Sequence, residues 1–355
     1  MGLVKHSYKE DCIFLLKDLS KELEEITIEE KEEIIRSGRS YSEVISKEQI
    51  PSNEAMCIFE EMIESCGDEI AHYVAKVSQA IYKTKGNNTV LVSLARGGTP
   101  YGILIRKYLK IKYNVSIPHY SISIIRGKGI DYNALKYIIK AHEGCNIQFI
   151  DGWTGKGSII KELNQSISKF NLENECEIDS SLAVIADPAK LCSIYGTRED
   201  LVIPSCCLNG TVSGLISRTV LNSNFIGEDD FHGAKYLDYL EKYDISDKYI
   251  KCIAEKFSLE EIENENTDRI DNRYAENIVN DIKNKYNMKS INSIKLSIGE
   301  SARVLLRRKP KMILVKSLED PQLKHIIYLA KERNVEIVTY SNSSYKSIAL
   351  IDEEK

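Results

Sequence analysis

The residues best suited to chemistry lie between Asn146 and Ser158, in the order Asn-Ile-Gln-Phe-Ile-Asp-Gly-Trp-Thr-Gly-Lys-Gly-Ser. Ile147, Phe149 and Ile150 read as a buried strand, and Ile160, Leu163 and Ile167 recur at helical spacing after Ser158. Between strand and helix, Gly155 and Gly157 let successive backbone N–H groups converge on an anion at a helix start. Asp151, at the carboxyl end of the strand, is placed to accept hydrogen bonds from sugar hydroxyls beside a phosphate. A second loop of the same design, Ala95-Arg96-Gly97-Gly98-Thr99-Pro100, follows a strand from Thr89 to Leu94 and leads into a helix through Lys110. Arg96 adds a fixed positive charge there. Two anion loops in one α/β unit are far more specific than either alone.

Further candidates fall in the loops around these two. The strand Ile117 to Ile125, in which His119, Ser121 and Ser123 alternate with apolar neighbours, runs into Arg126-Gly127-Lys128-Gly129. Arg126 and Lys128 make this a glycine-rich basic segment that could close over a polyphosphate. A strand from Leu182 to Ala186 ends at Asp187, on the sheet edge where ligands bind in open parallel sheets. After a further strand, Leu201 to Pro204, the segment Ser205 to Thr219 concentrates small hydroxyl residues, and its Asn209, Ser213 and Arg218 read as acceptor contacts. His232, which titrates near neutral pH, is a candidate base or substrate contact. A thiol chemistry competes with this reading: Cys206 or Cys207 as nucleophile, His232 as base, and Asp229 or Asp230 orienting the imidazole.

The elements that must position these groups divide the chain into four parts. Residues 1–85 form an N-terminal helical extension or hood with dimerisation potential. It holds a short strand from Cys12 to Leu16, a capped helix from Glu29 to Ser37, a loop at Tyr41 to Glu43, and a long amphipathic helix or helix pair from Pro51 to Tyr82. Residues 86–238 are the α/β core. Residues 239–290 are a charged helical connector interrupted at Asn264 to Asn266. Residues 291–355 alternate helices with the strands Met312 to Val315, Val335 to Tyr340 and Ile348 to Ile351, as in a small sandwich. Its first helix carries Arg303, Arg307 and Arg308, with Lys309 and Lys311 beside it.

The composition is that of a globular protein: 43% hydrophobic residues support proper cores, and a net charge of −5 gives no global attraction to nucleic acid. Nine cysteines without a CxxC pair argue against a zinc ribbon or a disulfide framework and for a reduced, cytoplasmic setting. The start, Met-Gly-Leu-Val-Lys-His-Ser-Tyr, lacks the apolar core of a signal peptide, and no run approaches the ~20 apolar residues of a membrane span.

The strand-Asp-Gly-Trp-Thr-Gly-Lys-Gly-Ser stretch resembles the phosphoribosyl-diphosphate (PRPP) loop of type I phosphoribosyltransferases, with Gly152 where that motif has a second acid. Arg-Gly-Gly-Thr-Pro, Ser-Ile-Ile-Arg-Gly-Lys-Gly-Ile-Asp, Cys-Leu-Asn-Gly-Thr-Val-Ser-Gly and Asp-Phe-His-Gly-Ala-Lys extend the resemblance to a bacterial family. That family is labelled either StiP, a cysteine protease, or a phosphoribosyltransferase of tellurite-resistance and stress genes. The resemblance implies a type I phosphoribosyltransferase-like parallel sheet flanked by helices, binding PRPP with Mg²⁺ and transferring the phosphoribosyl group to or from a nucleobase-like acceptor. Arg96, Gly97, Gly98 and Thr99 would hold the diphosphate, and Asp151 and Gly152 would face the ribose. Thr154, Gly155, Lys156, Gly157 and Ser158 would cradle the 5′-phosphate, with Trp153 free to stack on a base. The C-terminal part resembles the pelota-type RNA-binding domain, which implies phosphate contacts from Arg303, Arg307 and Arg308 to RNA. Two other functions stand beside transfer: a cysteine peptidase, and a non-catalytic nucleotide- and RNA-binding stress protein.

Overall fold

The computed structural model describes residues 2–27, 30, 33–34, 43–263, 269–308 and 310–351, with the backbone alone at Cys206. Most of the expected helix from Glu29 to Ser37 lies outside the described residues, as do Tyr41, Ser42, Asn264 to Asn266 and Lys309.

The core is a parallel sheet of six strands: β1 (Ile13–Phe14), β2 (Thr89–Leu94), β3 (His119–Ile122), β4 (Asn146–Trp153), β5 (Leu182–Ala186) and β6 (Ile194–Thr197). Their order across the sheet is β1-β3-β2-β4-β5-β6, and every neighbouring pair is parallel. Such strands are covered on both faces, which is why β2 and β5 read as continuous apolar runs and are buried at every position. One face is covered by α1 (Asn53–Lys85) and α2 (Thr99–Tyr113), on which α5 (Ser246–Ala254) packs in turn. On the other, α3 (Tyr132–Ala141) and α4 (Ser158–Asn174) press Leu135, Ile138, Leu163, Ile167 and Phe170 onto Val90, Phe149 and Val184.

The stretch from Pro51 to Tyr82 is one helix rather than a pair. Ser52 caps it by accepting the Ala55 N–H at 3.1 Å, and Gly86 stops it. Its buried stripe, from Ile58 through Ile81, lies against the sheet. The N-terminal part is therefore not a separate hood: β1 forms the sheet edge beside β3, and α1 is part of the core.

Leu201 to Ile203 is buried but does not form a strand. The Val202 N–H is met by the Gln322 side chain at 3.3 Å, and Pro204 then opens a 3-10 turn. The strand in that region is β6, whose short Ile-Tyr-Gly-Thr sequence gives little apolar signal.

The C-terminal unit has strands β7 (Ile294–Leu296), β8 (Pro310–Val315), β9 (Glu336–Thr339) and β10 (Ser347–Ile351) in the order β7-β10-β8-β9. Only β8 and β9 are parallel. Helices α7 (Ile298–Arg307) and α8 (Lys324–Glu332) pack together beside this sheet, and α6 (Tyr274–Lys285) shares a cluster with Leu314, Ile348 and Leu350. The expected connector is thus split: α5 belongs to the core and α6 to the C-terminal unit. Among the described residues, no helix is long and apolar enough to cross a membrane.

Candidate active site

The chain turns from β2 outward to β3 and then back across to β4, so the crevice of the core sheet opens at the carboxyl ends of β2 and β4. Both glycine loops meet there, as the sequence suggested. α7 is seated over both, leaving Gly97, Gly155, Lys156 and Gly157 half-buried. Gly299 allows this: a Cβ there would fall 2.3 Å from the Trp153 ring. The Arg303 guanidinium lies 4.3 Å from the centre of that ring, and its NH1 donates to Glu300 at 2.8 Å. Tyr345 donates to the Gly155 carbonyl at 3.0 Å, and Lys156 donates to the Ile291 carbonyl.

Asp151 is enclosed by this arrangement. Burial pushes its carboxyl up to about 6, against the opposing effects of Arg303 and of the Gly152 N–H that donates to it at 2.8 Å. A Cβ on Gly97 would fall 2.8 Å from Arg303 and 3.0 Å from Asp151. Arg96 is engaged in an ion pair with Glu48 and in a hydrogen bond to the Ile216 carbonyl. Thr99 bonds Ser121 at 2.7 Å. Thr154 donates to Asp187 at 2.7 Å, while Asp187 also accepts from the Cys192 N–H and pairs with Arg198. Gly157, at φ +85°, only turns the chain into Ser158 at the head of α4. Arg96, Thr99 and Thr154, three of the side chains expected to hold a phosphoribosyl diphosphate, thus have partners within the protein.

Two of the acceptor candidates, Asn209 and Arg218, line one small cavity with Glu48 and Arg307. Asn209 accepts from Arg307 Nε at 3.0 Å, Ser213 donates to the Asn209 carbonyl at 2.6 Å, and Arg218 donates to the Val44 carbonyl at 2.6 Å. His232 lies elsewhere, in the wall of a cavity of about 590 Å³ that Lys128 also lines. Its Nδ1 is 2.9 Å from Ser123 Oγ, and its backbone N–H donates to Asp131 at 2.6 Å. Burial lowers the imidazole, and the Asp131 charge offsets part of that. Among the described residues, no cysteine lines the cavity. Cys207 sits buried on the turn after Pro204, its N–H donating to the Pro204 carbonyl at 3.0 Å. Asp230 pairs with Lys17 rather than with an imidazole.

A thiol and an imidazole do meet beneath the sheet edge. Cys12 Sγ is 3.9 Å from His119 Nε2, which is also 2.8 Å from Ser93 Oγ. His119 Nδ1 lies 3.2 Å from the Asp11 carbonyl. A carbonyl only accepts, so the proton is on Nδ1 and the Nε2 lone pair faces the thiol and the hydroxyl. Burial lowers His119 to about 4 and raises the Cys12 thiol well above its ordinary range, so the pair is neutral near pH 7. Gly102 makes the room: a Cβ there would fall 2.2 Å from both His119 Nε2 and Ser93 Oγ. The alternation of His119 with apolar neighbours was a signal for an inward-facing imidazole. Its partner was hidden, because only the pairing of β1 with β3, which sets Ile13 opposite Tyr120, brings Cys12 alongside.

Fold and site together define a mixed α/β protein with a parallel sheet flanked by helices, whose loop crevice is closed by an attached small α/β unit. A family model described as "Tellurite-like stress resistance cysteine protease StiP" matches residues 6–254. The chain belongs to that StiP family. A second model, "PELOTA RNA binding domain", matches residues 273–353. "Cysteine protease StiP" of Acinetobacter baylyi is 31% identical over 361 residues, covering 97% of this chain and 93% of that protein. Among solved structures, a hypoxanthine-guanine-xanthine phosphoribosyltransferase is similar over 38% of this chain and 79% of its own, at 11% identity and a TM-score of 0.25. That score is too low to support the phosphoribosyltransferase-like fold expected from the glycine loops.

These findings overturn the phosphoribosyl-transfer expectation. The family model and the relative, which together span the chain, both carry a cysteine protease name, and the transferase likeness is weak. PRPP and a nucleobase lose their support as partners, and Mg²⁺ was expected only with PRPP. Among the described residues, no group of three or more His, Cys, Asp or Glu side chains is placed to hold a metal ion.

Proposed function

We propose that this chain is a cysteine peptidase in which Cys12 is the nucleophile and His119 its base. The observation that carries the reading is the 3.9 Å thiol–imidazole contact, with the far ring nitrogen held by the Asp11 carbonyl. Those are the roles a nucleophile, a base and an orienting group fill in thiol hydrolysis, whatever their order in the chain. Nε2 takes the thiol proton as sulfur bonds to the peptide carbonyl carbon. The imidazolium returns that proton to the departing amine, and water then cleaves the thioester, releasing the acid and restoring the thiol. Ser93, 2.8 Å from the same nitrogen, turns its hydroxyl proton to the Gly98 carbonyl, 3.2 Å away, which frees the Nε2 lone pair for the thiol proton. Cys12 is 2% exposed, so a peptide reaches it only when the cover opens. The residues flanking Cys12 are the short turn Lys9–Asp11 and the two-residue strand β1. The family and the relative's name support the reaction class, and the match to the RNA-binding model supports a second reading, that the C-terminal unit engages RNA.

The test is hydrolysis of a fluorogenic peptide library by the full chain and its Cys12→Ala, His119→Ala, Cys206→Ala and Cys207→Ala variants. Cys12→Ala is expected to abolish turnover, and His119→Ala to lower it by about 10² to 10⁴-fold. The two variants in the 206–207 turn are expected to retain it. Full activity in Cys12→Ala with loss in Cys206→Ala or Cys207→Ala would move the nucleophile to that turn.

A further inference from the structure

The basic side chains of α7, which the sequence offered for RNA, are turned onto the core: Arg303 covers Trp153 and Arg307 bonds Asn209. A different group of cations lies at the joint between the core and the C-terminal unit. Arg126 reaches across it to donate to Asn292 Oδ1 at 2.7 Å, and Lys156 crosses it to the Ile291 carbonyl. Both land on the 3-10 turn Ile291–Ser293, directly before β7, which carries Lys295. Three separate stretches of chain therefore bring positive charge to one place.

We propose that this joint, with Arg126, Lys156 and Lys295, is a docking surface for the phosphate backbone of RNA. It rests on the RNA-binding reading of the C-terminal unit and assigns the surface that would serve it. Among the described residues, the hydrogen bonds of Arg126 and Lys156 go to neutral oxygens, so their charge is not cancelled by those contacts. The charges act on each other: burial, Lys295 and Arg126 together press Lys156 down to about 8, with only Glu300 acting the other way. A folded chain that holds like charges this close is stabilised by an anion that bridges them. A chain with an overall net charge of −5 repels a polyanion, which makes a local positive concentration the point of approach. Arg126 is exposed and Lys156 half-buried, so phosphates can reach both. Asn292 and Lys295 lie within the stretch matched by the RNA-binding model, whereas Arg126 and Lys156 come from the core. The two parts would therefore grip one backbone together.

The experiment is fluorescence anisotropy of a labelled short single-stranded RNA titrated with the full chain over a range of salt. Arg126→Gln, at an exposed position where folding is not at stake, is compared with the combined Arg126→Gln, Lys156→Gln, Lys295→Gln variant and with Lys83→Gln on α1. The combined variant is expected to bind more weakly and to reduce the slope of log K against log salt by about 2, since each phosphate contact on a single strand contributes roughly 0.7. Arg126→Gln is expected to remove about a third of that, and Lys83→Gln none. If the wild-type chain binds no RNA, the RNA-binding reading and this surface fall together. If it binds and the combined variant keeps its affinity and slope, the surface alone is overturned. Displacement of the RNA by inorganic phosphate at equal phosphate-group concentration would mark a free-anion site and would also overturn the docking.

Discussion

At the scale of single residues, the molecule encloses polar groups and answers each with a specific partner. Asp151 is the clearest case, since its nearest opposing charge comes from Arg303 on the other unit. Arg303→Met removes that charge and leaves a buried carboxylate uncompensated. The Asp151 carboxyl is expected to titrate above the present value of about 6, as read by carbon NMR of the labelled side chain. Breaking a fully buried pair costs 3 to 5 kcal/mol, but Arg303 is 32% exposed, so screening reduces the expected loss to about 1 to 2 kcal/mol in denaturant unfolding. The same reasoning explains what could be read of the site from residue types. Asp151, Arg96 and the glycines were found at the sheet crevice because strand-glycine-helix spacing is local information. Their partners Glu48 and Arg303 were not legible, because each is brought there by a distant part of the chain. Cys12 and His119 illustrate the converse, two residues each read only as part of a strand that become a pair through β1 and β3.

At the scale of elements, local pattern identified most of the framework. The strands Thr89 to Leu94 and Leu182 to Ala186 match β2 and β5 residue for residue, because a buried parallel strand is a compact apolar run between turn signals. Leu201 to Pro204 has the same signature and is not a strand, since burial alone does not supply a pairing partner. The alternation of helices with strands also located α7, whose packed side is formed by Ile298, Ala302, Val304 and Leu305 while Arg303 and Arg307 stay half-exposed beside the core. Gly299→Ala tests how closely it is seated. The added methyl must displace Trp153 or the helix, at an expected cost of about 1 to 3 kcal/mol. Because Trp153 is the only tryptophan, its emission maximum should shift to the red in the variant if the helix lifts, and should stay in place if the helix adapts by sliding.

At the scale of the whole molecule, the two units are joined through another buried carboxylate. Asp200 accepts the N–H of Ile298 at the head of α7 at 3.1 Å and that of Lys346 at 2.8 Å. Burial nevertheless pushes it up to about 7, despite those N–H groups and the Lys346 ammonium. The folded protein thus holds a proton there that the unfolded chain, with its carboxyl near 3.8, has already released. The stabilisation from this proton is complete below pH 3.8 and is lost as the pH rises through about 7. Asp200→Asn removes the titration and sets an amide N–H₂ or a single oxygen against several donors. Its thermal stability should fall furthest below that of the wild type near pH 4, with the deficit narrowing toward pH 7. A deficit that stays constant across that range would show that Asp200 does not titrate in the folded joint.

The joint also has a consequence for how the protein is made. Residues 1–254 hold the thiol, the imidazole and both glycine loops, but Trp153 and Asp151 are covered only by a helix that begins at Ile298, and Asp200 receives its last donors from Lys346 and Ser347. During synthesis on the ribosome this N-terminal part emerges first, with an uncovered indole and carboxylates that lack their later partners. A chain released early keeps that apolar face, and only full-length translation hides it.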